Sequence, residues 1–111
     1  METYDLYGCV CSAGIEEVRK VVENSLGIVL TLHESLYTGE YYRSGDFGSE
    51  TFALQRNYND FEEEFAEIGF EDFKIILYVD KTLRPHELER ALISSGCFRL
   101  LRRSELSEKS Q

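Results

Sequence analysis

Phe73-Lys74-Ile75-Ile76-Leu77-Tyr78-Val79, residues 73–79, is the strongest strand candidate in the chain, and its reading decides the fold. β-Branched and aromatic residues fill both alternating sets of positions. A strand of that kind is covered on both faces and belongs in the middle of a sheet. Toward the C-terminus, Pro85 suits the first position of a helix whose Leu88, Ala91 and Leu92 face inward, with Gly96 just past its end. Cys97–Arg103 then reads as a last strand and Ser104–Gln111 as a polar tail.

Toward the N-terminus, Asn59 with Glu62 three residues on resembles a capping box. It predicts a short helix over 60–68, with Phe61, Phe65 and Ile68 at i, i+4 and i+7, ended by Gly69. Glu40–Arg43 and Glu50–Arg56 form a hairpin about the turn-rich 44–49, and Phe52 and Leu54 are the inward pair of its second strand. Tyr37-Thr38-Gly39 is a turn or bulge. Ile28–Leu36 alternates, with Ile28, Leu30, Leu32 and Leu36 on one face. Before it, Ile15, Val18, Val21 and Val22 make the apolar stripe of a helix that Ser12 can cap and Gly27 can stop. Tyr4–Cys11 alternates again, so the chain opens β-α-β. The full order is β-α-β-β-β-α-β-α-β. It predicts one α+β domain over residues 1–103, a sandwich with helices packed on a mostly antiparallel sheet.

Composition sets the outer limits. A chain of 111 residues with 42% hydrophobic and 13% aromatic content buries a core without staples. No apolar run reaches the roughly 20 residues of a membrane span. Met1 opens no basic-then-apolar leader, so the expectation is a soluble, cytoplasmic protein with no membrane partner. The formal charge of −9 argues against nucleic acid and favours a basic partner or simple solubility. Residues 41–80 hold ten acids against three bases, whereas 81–111 hold four acids against seven bases.

Candidates for chemistry are weak. His33 and Glu34 are adjacent in a strand and point to opposite faces, so they do not converge on one atom. His33 and Ser35 share a face but lack an orienting acid. Gly39, Gly45 and Gly48 do not have the spacing of a phosphate loop. Seven acids between Asp60 and Asp72 show no cation-loop spacing. Cys9, Cys11 and Cys97 lack the further thiols or histidines of a metal site and read as buried structural thiols. The expectation is no enzyme, no cofactor and no metal.

A denser signal lies in His33–Asn57, where Tyr37, Tyr41, Tyr42 and Phe47 interleave with Glu40, Asp46 and Glu50. Tyrosine offers large contact area with a polar tip, and acids beside it steer a basic partner. The predicted partner surface is therefore Tyr37, Glu40, Tyr41, Tyr42, Asp46 and Glu50. Glu62, Glu63 and Glu67 are second candidates.

The run from His33 to Tyr42, followed by Phe52-Ala53-Leu54-Gln55-Arg56-Asn57, resembles immunity proteins of contact-dependent growth inhibition and related bacterial polymorphic toxin systems. The resemblance spans about residues 28–102 and takes in Ile75–Val79 and the ending Leu100-Leu101-Arg102-Arg103. It implies a cytoplasmic antidote that binds the C-terminal domain of a cognate toxin, often a nuclease, and covers its active site. The competing expectation is a regulatory α+β module that homodimerises through its sheet, with Arg99, Arg102 and Arg103 of one copy meeting the acidic helix 60–68 of another.

Overall fold

A computed structural model describes residues 1–36, 39–46 and 48–105. The elements are β1 (Thr3–Cys9), α1 (Ile15–Leu26), β2 (Thr31–Ser35), β3 (Gly39–Ser44), β4 (Thr51–Arg56), β5 (Tyr58–Asn59), β6 (Glu64–Phe65), β7 (Ile75–Thr82), α2 (Pro85–Ser94) and β8 (Phe98–Glu105). Among the described residues, six strands pair in the order β2-β3-β4-β7-β1-β8, and β5 with β6 makes a separate ribbon. Every pairing is antiparallel. The α+β reading therefore holds. So does the central place of β7: Ile75, Leu77 and Val79 point to one face and Ile76 to the other, none more than 7% exposed.

Register explains which face is the core. Tyr42, Leu54, Leu77, Tyr7 and Leu100 lie in one row across five strands. Val18 and Val22 of α1 and Leu88 and Leu92 of α2 pack against that row. Each such side chain contributes about 1.5–3 kcal/mol of burial. The helix ends follow the sequence in part. Gly27 closes α1 in the left-handed region (φ 69°) and donates its N–H to Glu23 O, and Pro85 opens α2. Gly14, not Ser12, occupies the N-cap of α1. β1 and β2 do share a sheet, but β3, β4 and β7 lie between them, so α1 carries the chain across the core face.

The helix expected over 60–68 does not form. Asn59 Oδ1 does accept from the N–H groups of Phe61 (2.8 Å) and Glu62 (3.1 Å), as a cap would. The chain then turns at Glu63, whose φ is 55°, and returns as β6. A helix this short is marginal alone. Here the buried side chain of Asn57 competes for the same backbone and wins by tertiary contact. Phe61 and Ile68, expected on the inner face of that helix, are 75% and 73% exposed.

One buried ion pair ties the two ends of the described chain together. Arg103 donates to Asp5 Oδ1 (3.0 Å) and Oδ2 (2.9 Å) and also meets Glu89 of α2 at 3.0 Å. Asp5 is 2% exposed, so its charge needs this fork. No helix of the described residues is long and apolar enough to cross a membrane.

Candidate functional site: an acidic lobe beside an open sheet face

The second face of the sheet is only half covered. Leu6, Tyr78 and Arg102 stand in one row there, and residues 57–73 fold over them as a lobe. Asn57, fully buried, wires the lobe in place. Its Nδ2 donates to Phe70 O and Phe73 O (both 2.9 Å), and its Oδ1 accepts from Glu67 N–H at 3.0 Å. The Asn57 backbone adds bonds to Lys74 O (2.8 Å) and from Ala66 N–H (2.7 Å). Such complete satisfaction is what allows a polar side chain to be buried. Glu67 pins the lobe from its other side, accepting from Tyr78 Oη (2.5 Å) and from Arg102 (2.9 and 3.3 Å). Burial would push its carboxyl up, but Arg102 and Tyr78 outweigh that and hold it below the usual carboxylate range. Phe73 lies directly over Gly8, where an added Cβ would come within 2.5 Å of the ring.

Beyond the lobe lies the face formed by β2, β3 and β4, where Thr31 and His33 are exposed and Tyr41, Arg43, Ala53 and Gln55 are half-buried. His33 and Tyr41 pair across β2 and β3 and stack at 5.6 Å. Tyr41 in turn opposes Gln55 of β4. Gln55 begins a groove of about 370 Å³ that runs under the ribbon between Asn59, Glu62, Glu64 and Ile68. Asp60, Glu62, Glu63 and Glu64 on the ribbon are all exposed and, among the described residues, make no ion pair. An aromatic plate, a groove and an acidic rim carrying bare Phe61 and Ile68 thus adjoin on one side of the molecule.

The residues singled out from sequence divide four ways. Tyr41, Glu62 and Glu63 belong to this side. Glu40 is exposed but alternates to the other face, where it opposes Glu34 across β2 and β3. Asp46 is exposed in the β3–β4 turn, its carbonyl accepting from Ser49. Tyr42, Glu50 and Glu67 are structural. Tyr42 is 7% exposed, with its hydroxyl donating to Glu16 and Arg19 over its ring. The Glu16 carboxylate, with burial, pushes the Tyr42 hydroxyl up. Glu50 accepts from Thr82 Oγ1 (2.7 Å) and Arg84 (2.9 and 3.1 Å), clasping the turn to the start of α2. Tyr37 and Phe47 lie outside the described residues.

Gln55, Phe61, Glu64 and Ile68 were not on the sequence-derived surface. The one available signal was that a helix of three apolar residues amid acids buries little. Arg102 and Arg103, expected to meet a second copy, are engaged within their own chain by Glu67 and Asp5. Among the described residues, no three or more His, Cys, Asp or Glu side chains are grouped to hold a metal ion. Compared with family models, curated proteins and solved structures, the chain matches none.

Proposed function

We propose that this protein is a protein-binding inhibitor of the immunity class, which captures a basic domain of a cognate toxin on the side formed by Tyr41, the groove and the ribbon. The observation that carries this reading is the unpaired acidic ribbon set beside exposed aromatic and aliphatic side chains. Carboxylates without internal cations repel one another, and a basic partner relieves that repulsion. They accelerate encounter in a salt-dependent way, whereas Tyr41, Phe61 and Ile68 supply the apolar contact that slows release. A cleft built for phosphates is the complementary surface, and a chain of charge −9 competes for it. The resemblance of His33–Asn57 to immunity proteins points the same way.

The test is co-expression with the C-terminal domain of whatever large exported protein a neighbouring gene encodes, followed by purification through a tag on the small partner. The expected result is a stable complex whose association slows with salt. Tyr41→Ala should weaken it about thirtyfold, the equivalent of about 2 kcal/mol for an anchor. Glu62→Lys with Glu63→Lys should lower the association rate and flatten its salt dependence. Absence of a complex, or wild-type binding by both variants, defeats the proposal.

A homodimer is the competing reading, and a different feature favours it. β2 is an edge strand of the described sheet, and Leu32 within it and Val29 and Leu36 flanking it are 51%, 75% and 77% exposed. Edge strands are the sites where sheets of two copies can join. A light-scattering mass of twice the monomer, abolished by Leu32→Lys, would select it.

A further inference from the structure

The three cysteines lie outside the surface described above, and the fold gathers them. β1 ends at Cys9, and the chain bends at Cys11 rather than continuing as a strand. That bend brings Cys11 Sγ to 3.4 Å from Cys9 Sγ. Val10 N–H donates to Cys97 O at 2.8 Å, which fixes the start of β8 beside the same bend. Cys9 is 8% exposed, while Cys11 and Cys97 are half-buried. Cys11 opens onto a cleft of about 510 Å³ that Cys9, Asp72, Phe73, Lys74 and Arg99 also line.

We propose that Cys9 and Cys11 form a site of reversible oxidation by hydroperoxides, in which Cys11 Sγ attacks and Cys9 Sγ closes a disulfide. Cys11 is partly exposed and lines the cleft, and Cys9 is the buried thiol whose sulfur touches it. In the first step, Cys11 thiolate attacks a peroxide oxygen and the O–O bond breaks. The leaving oxygen takes up the thiol proton as water or an alcohol, and Cys11 becomes a sulfenic acid. In the second step, Cys9 Sγ attacks Cys11 Sγ and the S–O bond breaks. The departing hydroxide takes the Cys9 proton as water, leaving an S–S bond. Two thiols lose two electrons, and the peroxide gains them. Reduction by an external dithiol restores the pair.

The local chemistry favours this division of labour. Burial would push Cys11 up. Hydrogen bonds from the Cys97 thiol, the Ala13 backbone and the Cys9 thiol outweigh burial and hold Cys11 below the ordinary thiol value. Cys9 is pushed up to about 12, first by burial and then by its bond to Cys11, and Cys97 to about 11, first by its bond to Cys11. Cys11 is therefore the most readily ionised of the three sulfurs, and its two neighbours hold their protons more tightly.

The experiment treats the reduced, folded chain with hydrogen peroxide at neutral pH and follows intact mass, free thiols and tryptic peptides. The expected product has lost two hydrogens and two of its three free thiols. That loss falls within the peptide ending at Arg19, which contains both Cys9 and Cys11. Cys11→Ser abolishes it and Cys97→Ser does not, whereas Cys9→Ser leaves a sulfenic acid that dimedone captures on Cys11. Cys11 should react at least about tenfold faster in the folded chain than in urea. A cross-link to the peptide containing Cys97, loss of the reaction in Cys97→Ser, or equal rates in folded and unfolded chains each overturn the proposal. The last comparison uses the wild-type sequence, so it decides the matter even if a serine variant fails to fold.

Discussion

Replacing Asn57 by alanine should detach the acidic lobe from the sheet. The side chain makes three hydrogen bonds, to Phe70 O, Phe73 O and from Glu67 N–H, and is fully buried. At about 1 kcal/mol net for each bond, the loss comes to about 3 kcal/mol if the lobe stays docked with its carbonyls unsatisfied. If the lobe instead peels away and rewets, the loss is capped at its docking energy and reappears as local opening. Urea unfolding followed by hydrogen exchange separates the two. A docked variant shows the full shift in midpoint. A peeled variant shows a smaller shift, with rapid exchange at Glu67 N–H and weaker protection at Ala66 N–H. Asn57→Asp is the control, because it keeps an acceptor for Glu67 N–H but sets a carboxylate oxygen against two carbonyls, and it should cost as much or more. A loss below about 0.5 kcal/mol with unchanged exchange at Glu67 would refute the claim that Asn57 organises this segment.

Other expectations follow from the same contacts. Glu67→Gln should lower stability by about 1 kcal/mol at neutral pH, and the deficit should vanish on acidification. The Glu67 carboxyl is depressed in the folded state, so its contribution is complete above the unfolded value of about 4.3 and is lost as pH falls through the folded value. Chemical denaturation from pH 7 to pH 3 reads the convergence of the two curves. Gly8→Ala should cost about 1–3 kcal/mol, because the new methyl would meet Phe73 Cδ1 at 2.5 Å and Leu101 Cδ1 at 2.9 Å; thermal unfolding checks it. Leu77→Ala, which empties a fully buried position in the middle of the sheet, should cost about 2–5 kcal/mol in the same assay. Tyr41→Ala should leave stability within about 0.5 kcal/mol while Tyr42→Ala loses several times that, since only Tyr42 is in the core.

What the sequence made legible was what short-range pattern encodes. β7 announces itself through apolar residues on both alternating sets, and Gly27 and Pro85 mark helix ends because only their backbone chemistry suits those places. Parity was harder. Tyr41 and Tyr42 are chemically alike, and a strand's register alone decides which of them enters the core. Glu50 and Glu67 looked like free surface acids because their partners, Arg84 and Arg102, are 34 and 35 residues away. The helix expected over 60–68 failed for a similar reason. Its local signals were sound as far as Asn59, but the Asn57 side chain binds Glu67 N–H, Phe70 O and Phe73 O and folds the segment back on itself. Likewise, spacing put Cys9 and Cys11 on one face of a strand, while the bend that makes them neighbours leaves no mark in alternation.

The pairing of Asp5 with Arg103 joins residues 98 positions apart, and β1 has both of its neighbours, β7 and β8, in the last part of the described chain. On the ribosome, β1 is therefore made well before either of the strands it pairs with. At about 5–20 residues per second, it waits several seconds with both edges bare. During that interval β2, β3 and β4 can assemble as a meander, but the core row has a gap where Tyr7 belongs. Chaperones that hold extended apolar segments should find Tyr4–Cys9 in nascent chains and lose it once Phe98–Glu105 emerges. A permuted gene that places β1 directly after β8 would remove the wait.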